Sequence, residues 1–503
     1  LPYLLVDGRI RATSPESAAL PLFPLLLWAG RRWLLGGGAR WFGTAVLGLI
    51  LLAFSHNISL LIFTPTLGVY LLALAWLHQL SWRLWLTRLA LLFGLGLGTT
   101  IFYTGGALLE INNVTLEQST TTRNNDFRFN FTSPAEILAP VPPEDPSLLN
   151  PPLPFRLGWL PLGLAILGVG LTIFWWKRSP NEVQWHVVLM MAATAVFLFM
   201  SLPVSRFIWE GLPLIDFVQF PWRFVGRTAL PLAFLAGVPF AFFQRGGAEA
   251  QRGGWALVGV ALAVGLLVLE AVPTVYPNIC GEEPFPTINT VHQYERETGL
   301  VGVDPEGSYL PRTVEERPSG SPLEADYLAN ETPARLDTAV FPPGTTVEFV
   351  NYNPLGVTAQ INSSEPFTAR YLSFDFPGWV ALVDGRSVPI TPEDPSGLIT
   401  FPVPAGSHSI LVRWQSTPTR TVLLGLSLFS LAGVLVVGLI LVKTESSLFS
   451  NHYSVFSKRS LNTGYGSLVT DYWPLITVSL LLIAGKLILD NTESPLRRMA
   501  GPD

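Results

Sequence analysis

The strongest constraint on this chain is the recurrence of apolar runs of about 18 to 20 residues, divided by polar stretches that hold most of its charge. As a helix rising 1.5 Å per residue, such a run covers about 30 Å, the thickness of a bilayer's hydrocarbon layer. In that layer every backbone N–H and C=O must be satisfied within the chain, which favours helices. Composition points the same way, because 13% of residues are charged where a soluble domain carries about 25%.

Ten spans are expected. The first is Ala18 to Trp28, closed by Arg31-Arg32. Trp41 to Trp76 is too long for one crossing and divides at Ser55-His56-Asn57. Leu84 to Tyr103, Leu157 to Trp176, Val183 to Leu202, Phe224 to Phe243 and Trp255 to Val272 follow. Thr421 to Leu441 and a weaker run, Trp473 to Leu489, complete the set. The fold class expected is therefore a mostly α, polytopic membrane protein. Its domains are a membrane region over 1–272 with outer loops 104–156 and 203–223, an irregular segment over 273–344, and a β-sandwich over 345–420. A membrane helix over 421–441, a cytoplasmic loop over 442–472 and a possible last helix over 473–489 follow.

Orientation follows from the excess of Lys and Arg in cytoplasmic loops. Arg31, Arg32 and Arg40, then Arg83, Lys177 and Arg178, Arg245 and Arg252, and Lys443, Lys458 and Arg459 all fall on one side. The alternate loops, including 203–223 and 273–420, fall outside the cytoplasm. Arg497-Arg498 dissents, so the last span is the weakest. The expected location is the bacterial plasma membrane, with the β-domain outside. Because the chain opens on Leu-Pro-Tyr with its first residue placed outside, an upstream segment is expected before Leu1.

Between Thr345 and Trp414 the pattern changes to short β-branched and aromatic runs with polarity alternating at a period of two. Pro377-Gly378, Asp384-Gly385 and Ala405-Gly406 supply turns, and Asp-Gly is a strong hairpin signal. A small antiparallel sandwich is expected there. Tyr309-Leu310-Pro311-Arg312 is expected in loops packed on the membrane region.

Several chemistries are excluded. There is no phosphate-cradling glycine loop, no dinucleotide fingerprint and no nucleophile elbow. Cys280 is the only cysteine, and the six histidines lack metal-ligand spacing, so neither a metal nor a cofactor is expected. No basic cluster suits nucleic acid. What remains is polar residues at the outer ends of spans. Asp7, Glu16 and Asp216 are candidate catalytic carboxylates; Arg9, Arg11, His56, Asn57, Gln219, Trp222 and Arg223 are candidate substrate-binding residues. A guanidinium matches phosphate bidentately, and a carboxylate can deprotonate an acceptor hydroxyl. Plainer readings stand beside these. The His-Asn turn suits a helix cap, Asp216 and Arg223 suit a rim ion pair, and Trp222 and Arg223 suit an interfacial anchor.

Several stretches resemble those of large bacterial membrane proteins called 6-pyruvoyl-tetrahydropterin synthase-related. They are Tyr3 to Asp7 through Arg11 with Glu16 to Leu20, Ser55-His56-Asn57, Gln219 to Phe224, and Ser308 to Arg312. Phe376 to Val380, Val383 to Gly385 and Val403 to His408 resemble the β-domain of YfhO-like membrane proteins. The layout is similar to GT-C type glycosyltransferases. That resemblance implies transfer of a sugar from a polyprenyl-phosphate carrier to an acceptor outside the cytoplasm. In that class the catalytic acid sits in the first outer loop, which this chain is expected to lack. Asp7, Gly8 and Ser14-Pro15 depart from the family pattern, which weakens the transfer of roles to Arg11 and Glu16. The competing reading is a non-catalytic membrane scaffold, or a protein that binds envelope polymer through its β-domain. Internal pairing of Arg223 would favour this non-catalytic reading.

Overall fold

The computed structural model describes residues 14–117, 125–139, 156–244, 259–267, 269–270, 287–298, 309–318, 320–329, 331–353 and 355–452. The chain divides into two units, 1–441 and 442–503; in the second, the described residues 442–452 are helical. The first unit is mostly helical, with one small antiparallel β region.

Among the described residues three helices are long and apolar enough to cross a membrane, Asn57–Leu77, Asn181–Ser201 and Pro418–Glu445. A fourth crossing arises if the bent pair Trp82–Gly98 and Ile101–Leu109 is one span. This is fewer than the ten expected, because several helices stop short or bend and because two expected spans, Trp255 to Val272 and Trp473 to Leu489, lie partly or wholly outside the described residues. The first apolar run is not one helix over Ala18 to Trp28. The chain turns at Leu20-Leu22, and the helix Leu22–Gly36 carries Arg31 and Arg32 inside it. It stops because Gly37 and Gly38 take φ of 71° and 101°. Ala39–Ser55 stops after 17 residues, where His56 turns to extended backbone. Trp159–Phe174 and Ala229–Gln244 have 16 residues each. The run from Leu84 to Tyr103 is bent by 72°, with a π-helical stretch over Ala90–Leu95 rich in glycine-punctuated sequence. The helix expected over 421–441 is longer, Pro418–His452, because residues 442–452 contain neither Pro nor Gly to end it. The last expected span, and Asp7, Arg9 and Arg11, lie outside the described residues.

Close helix approach depends on small residues. Gly48 faces Leu26, where an added Cβ would sit 2.8 Å from a Leu26 methyl. Gly168 in Trp159–Phe174 lies against the Leu235 carbonyl of Ala229–Gln244, so even a methyl there would force the helices apart. Gly98 and Gly105 meet Ser430 and Leu423 of the long C-terminal helix, and Ser427 Oγ accepts the Phe102 N–H at 2.9 Å. Around these contacts Leu26, Leu34, Phe42, Leu49, Leu52, Leu67 and Leu71 are fully enclosed.

The β region matches the expected sandwich. Its strands are β1 Thr346–Asn353, β2 Gly356–Ser363, β3 Phe367–Phe374, β4 Trp379–Val383, β5 Arg386–Val388, β6 Thr391–Pro392, β7 Leu398–Val403 and β8 Gly406–Trp414. They form two sheets, β1-β2-β8-β4-β5 and β3-β7-β6, with antiparallel pairing between neighbours. Val357, Ala359 and Ile361 of β2 face Ala369 and Tyr371 of β3 across a dry core completed by Ile399, Phe401, Ile410 and Val412. Asp384 and Gly385 join β4 to β5 with φ of 48° and 75°, the two left-handed positions of a tight hairpin turn.

Two contacts tie the sandwich side of this unit to its helices. Glu110, which ends Ile101–Leu109, takes two hydrogen bonds from Arg420 at 2.9 and 2.7 Å, and the Arg420 guanidinium lies 4.7 Å from the centre of the Trp414 ring. The 309–312 segment packs on the 112–117 loop as expected, with Arg312 paired to Glu117 at 2.7 Å. The segment over 273–344, expected to be irregular, contains helices Ile288–Thr298 and Glu324–Leu328.

Candidate functional site

The candidate site grows from three helix ends. The helix Ser14–Ala19 presents Glu16, which is 1% exposed. At the second end, His56 breaks the long apolar run. Its Nδ1 accepts the Ser59 N–H at 3.2 Å and lies 2.8 Å from Ser59 Oγ, so the expected cap is present. With Nδ1 as acceptor, the neutral ring carries its proton on Nε2.

The third end is the 203–223 loop. It descends through Pro203–Ser205, Arg206–Gly211 and Ile215–Val218 into the helix Arg223–Arg227. Leu214 and Gln219 hold φ of 68° and 62°, conformations that cost a side-chain-bearing residue energy and tighten the loop. An aromatic floor supports it, with Trp209, Phe127, Phe197, Val218 and Phe224 packed together.

Arg223 and Arg227 are four apart and therefore share one face of their helix. Arg227 Nη1 donates to Glu16 Oε1 at 2.6 Å and its Nη2 donates to Ser59 Oγ at 3.0 Å. Arg223 Nε lies 3.5 Å from Glu16 Oε2, and its Nη1 donates to the Val218 carbonyl at 2.7 Å. Its guanidinium also lies over Phe220, 4.8 Å from the ring centre. A continuous chain of polar contacts thus runs from Glu16 through Arg227 and Ser59 to His56. Burial is nearly complete: Ser59 is 0% exposed, Arg227 2% and Arg223 7%.

Three of the expected residues, Glu16, His56 and Arg223, are brought together. Others are not. Asp216 does not pair with Arg223; its carboxylate accepts the Phe217 N–H of its own turn at 3.1 Å. Asn57 donates to the Tyr103 hydroxyl at 3.3 Å. Gln219 and Trp222 belong to the loop that seats Arg223. Trp222 is 7% exposed and stacked on Phe220 at 4.9 Å, so it is enclosed by protein and does not serve as a headgroup anchor. Ser59 and Arg227 were missed. The i,i+4 spacing of Arg223 and Arg227 was the available signal for one, and the His-x-x-Ser cap spacing for the other.

Chemically, the arrangement holds more than it attacks. The Glu16 carboxylate is engaged by Arg227 and Arg223, and the Ser59 hydroxyl is fully enclosed. Among the described residues no group of three or more His, Cys, Asp or Glu side chains could hold a metal ion. Comparison with protein-family models, with curated proteins and with solved structures returns no match.

Proposed function

We propose that this chain is a multi-pass protein of the cell membrane that acts as a non-catalytic scaffold and presents its β-sandwich outside the cytoplasm to bind envelope polymer. The observation that carries this reading is the closure of Arg223 and Arg227 on Glu16 inside the helical region. Arg223, expected to receive a phosphate donor, is engaged with Glu16 and with the Val218 carbonyl. A buried ion cluster of this kind ties elements together and fixes their register. The Arg and Lys residues clustered near the ends of alternate apolar runs support the outward orientation, and the shorter apolar helices are counted with the long ones as crossings of this multi-pass bundle.

The second reading is a GT-C-like transferase of the resembled family, using a polyprenyl-phosphate sugar. It is favoured by the convergence of Glu16, His56 and Arg223, drawn from three separate resembling stretches. One experiment separates the two. The full-length protein in lipid nanodiscs is incubated with radiolabelled polyprenyl-phosphate sugars, and separately co-sedimented with isolated envelope polymer. The scaffold reading expects sedimentation and no saturable donor binding. Saturable donor binding that Arg223→Lys abolishes, in protein that still melts cooperatively, would establish the transferase instead.

A further inference from the structure

One end of the β-sandwich opens into a groove of about 860 Å³ between the two sheets. Pro366 and Phe367 at the start of β3 form one wall, Pro402 and Pro404 at the end of β7 another, and the β4–β5 hairpin supplies Asp384 and Arg386. The three prolines are solvent-exposed, and Phe367 is half-buried against Phe341, 5.0 Å between ring centres.

The charges in the groove are not equivalent. Asp384 is occupied, because its Oδ1 accepts the Ser409 N–H at 2.9 Å and its Oδ2 lies 2.6 Å from His408 Nδ1. Arg386 is exposed, and among the described residues no carboxylate lies within ion-pair distance of it. A guanidinium above a surface of pyrrolidine and phenyl faces is complementary to an anion carried on a ring with apolar C–H faces.

Strand addition by a peptide is disfavoured here. The bordering strand β5 has three residues, and the bordering positions 366, 402 and 404 offer no N–H. Recognition must come from side-chain faces and the guanidinium. A poly(glycerol phosphate) chain would satisfy the cation and leave the ring faces unmatched.

The geometry points to this groove as the binding site for an acidic polysaccharide whose carboxylates are borne on its sugar rings. Phe367 and the prolines stack on the rings, and Arg386 takes a carboxylate. The inference rests on the polymer-binding reading above and names the partner.

The test uses the full chain in nanodiscs, titrated calorimetrically with tetragalacturonate, maltotetraose and a short poly(glycerol phosphate). Tetragalacturonate is expected to bind best, to weaken as salt rises, and to lose about tenfold affinity in Arg386→Gln with partial recovery in Arg386→Lys. Arg386 is exposed, so both variants should melt like the parent, which serves as the folding control. Equal binding of maltotetraose or poly(glycerol phosphate), or an unaffected Arg386→Gln, overturns the inference. Binding of a disordered peptide that competes for the same groove also overturns it. Absence of oligosaccharide binding alongside retained sedimentation with whole envelope polymer refutes this groove and leaves the scaffold reading standing; loss of both refutes both.

Discussion

Glu16→Gln isolates the central tie. The substitution keeps shape and removes the one described carboxylate that two buried guanidiniums share, at 2.6 Å from Arg227 and 3.5 Å from Arg223. Breaking a buried ion pair by deleting one partner costs about 3–5 kcal/mol, because the remaining charge stays desolvated. With two cations affected, the upper half of that range is expected. Arg227→Met should cost less, since Arg223 remains beside Glu16. Replacing all three together, Glu16→Leu with Arg223→Met and Arg227→Met, should return stability to within about 1–2 kcal/mol of the parent, as apolar isosteres of buried ion clusters commonly do. The assay is unfolding of the full chain by SDS titration in mixed micelles, followed by tryptophan fluorescence. A Glu16→Gln protein within about 0.5 kcal/mol of the parent, or a triple variant no better than Glu16→Gln, would refute the reasoning.

Three further outcomes are expected. Ser59→Ala removes the hydroxyl between Arg227 and His56 and should cost about 1.5–3 kcal/mol in the same SDS titration, the range for hydrogen bonds to charged groups. Gly168→Leu drives a side chain into the Leu235 carbonyl and should abolish the packing of Trp159–Phe174 on Ala229–Gln244, read as loss of a disulfide engineered between these helices. In the sandwich, the hydrogen bond to Asp384 raises the His408 pKa above its ordinary 6.5, and the hydrogen bond from His408 lowers the Asp384 pKa below 3.8. The His408 contribution is complete below 6.5 and is lost as pH rises through its raised folded value. The Asp384 contribution is complete above 3.8 and is lost as pH falls through its lowered one. The pair should therefore stabilise most between about pH 4 and 6.5, and His408→Asn should flatten that dependence in pH-resolved melts of the Trp379 and Trp414 signal.

What the sequence disclosed follows what is local. The His56 cap, the Asp384-Gly385 hairpin and strand β4 were readable because each is set within a few residues. Strand β7 carries Pro402, a residue that argues against a strand. In the sheet, Pro402 lies opposite Thr368 of β3, while β6 pairs with β7 only at Thr400 and Ile399, so β7 has one strand neighbour at the proline. Strand β2 follows the period of two, with Val357, Ala359 and Ile361 inward and Gln360 and Asn362 less buried between them. The expected runs exceed the helices at Trp159–Phe174 and Ala229–Gln244, whereas the first helix passes the Arg31-Arg32 pair that hydropathy marked as its end and stops at Gly36. The pairing of Glu16 with Arg227 was not legible, since nothing local to either residue selects the other.

That pairing closes a separation of 211 residues. At synthesis rates of about 5–20 residues per second, Arg227 emerges roughly 10–40 s after Glu16. During that interval the carboxylate, carried on the short helix Ser14–Ala19, lacks this guanidinium. The Glu16 tie to Arg223 and Arg227 can therefore close only after the 203–227 segment has been made. Closure of the tie is thus a late event in the making of the chain, and a chain ending before Arg223 would lack both guanidiniums that meet Glu16.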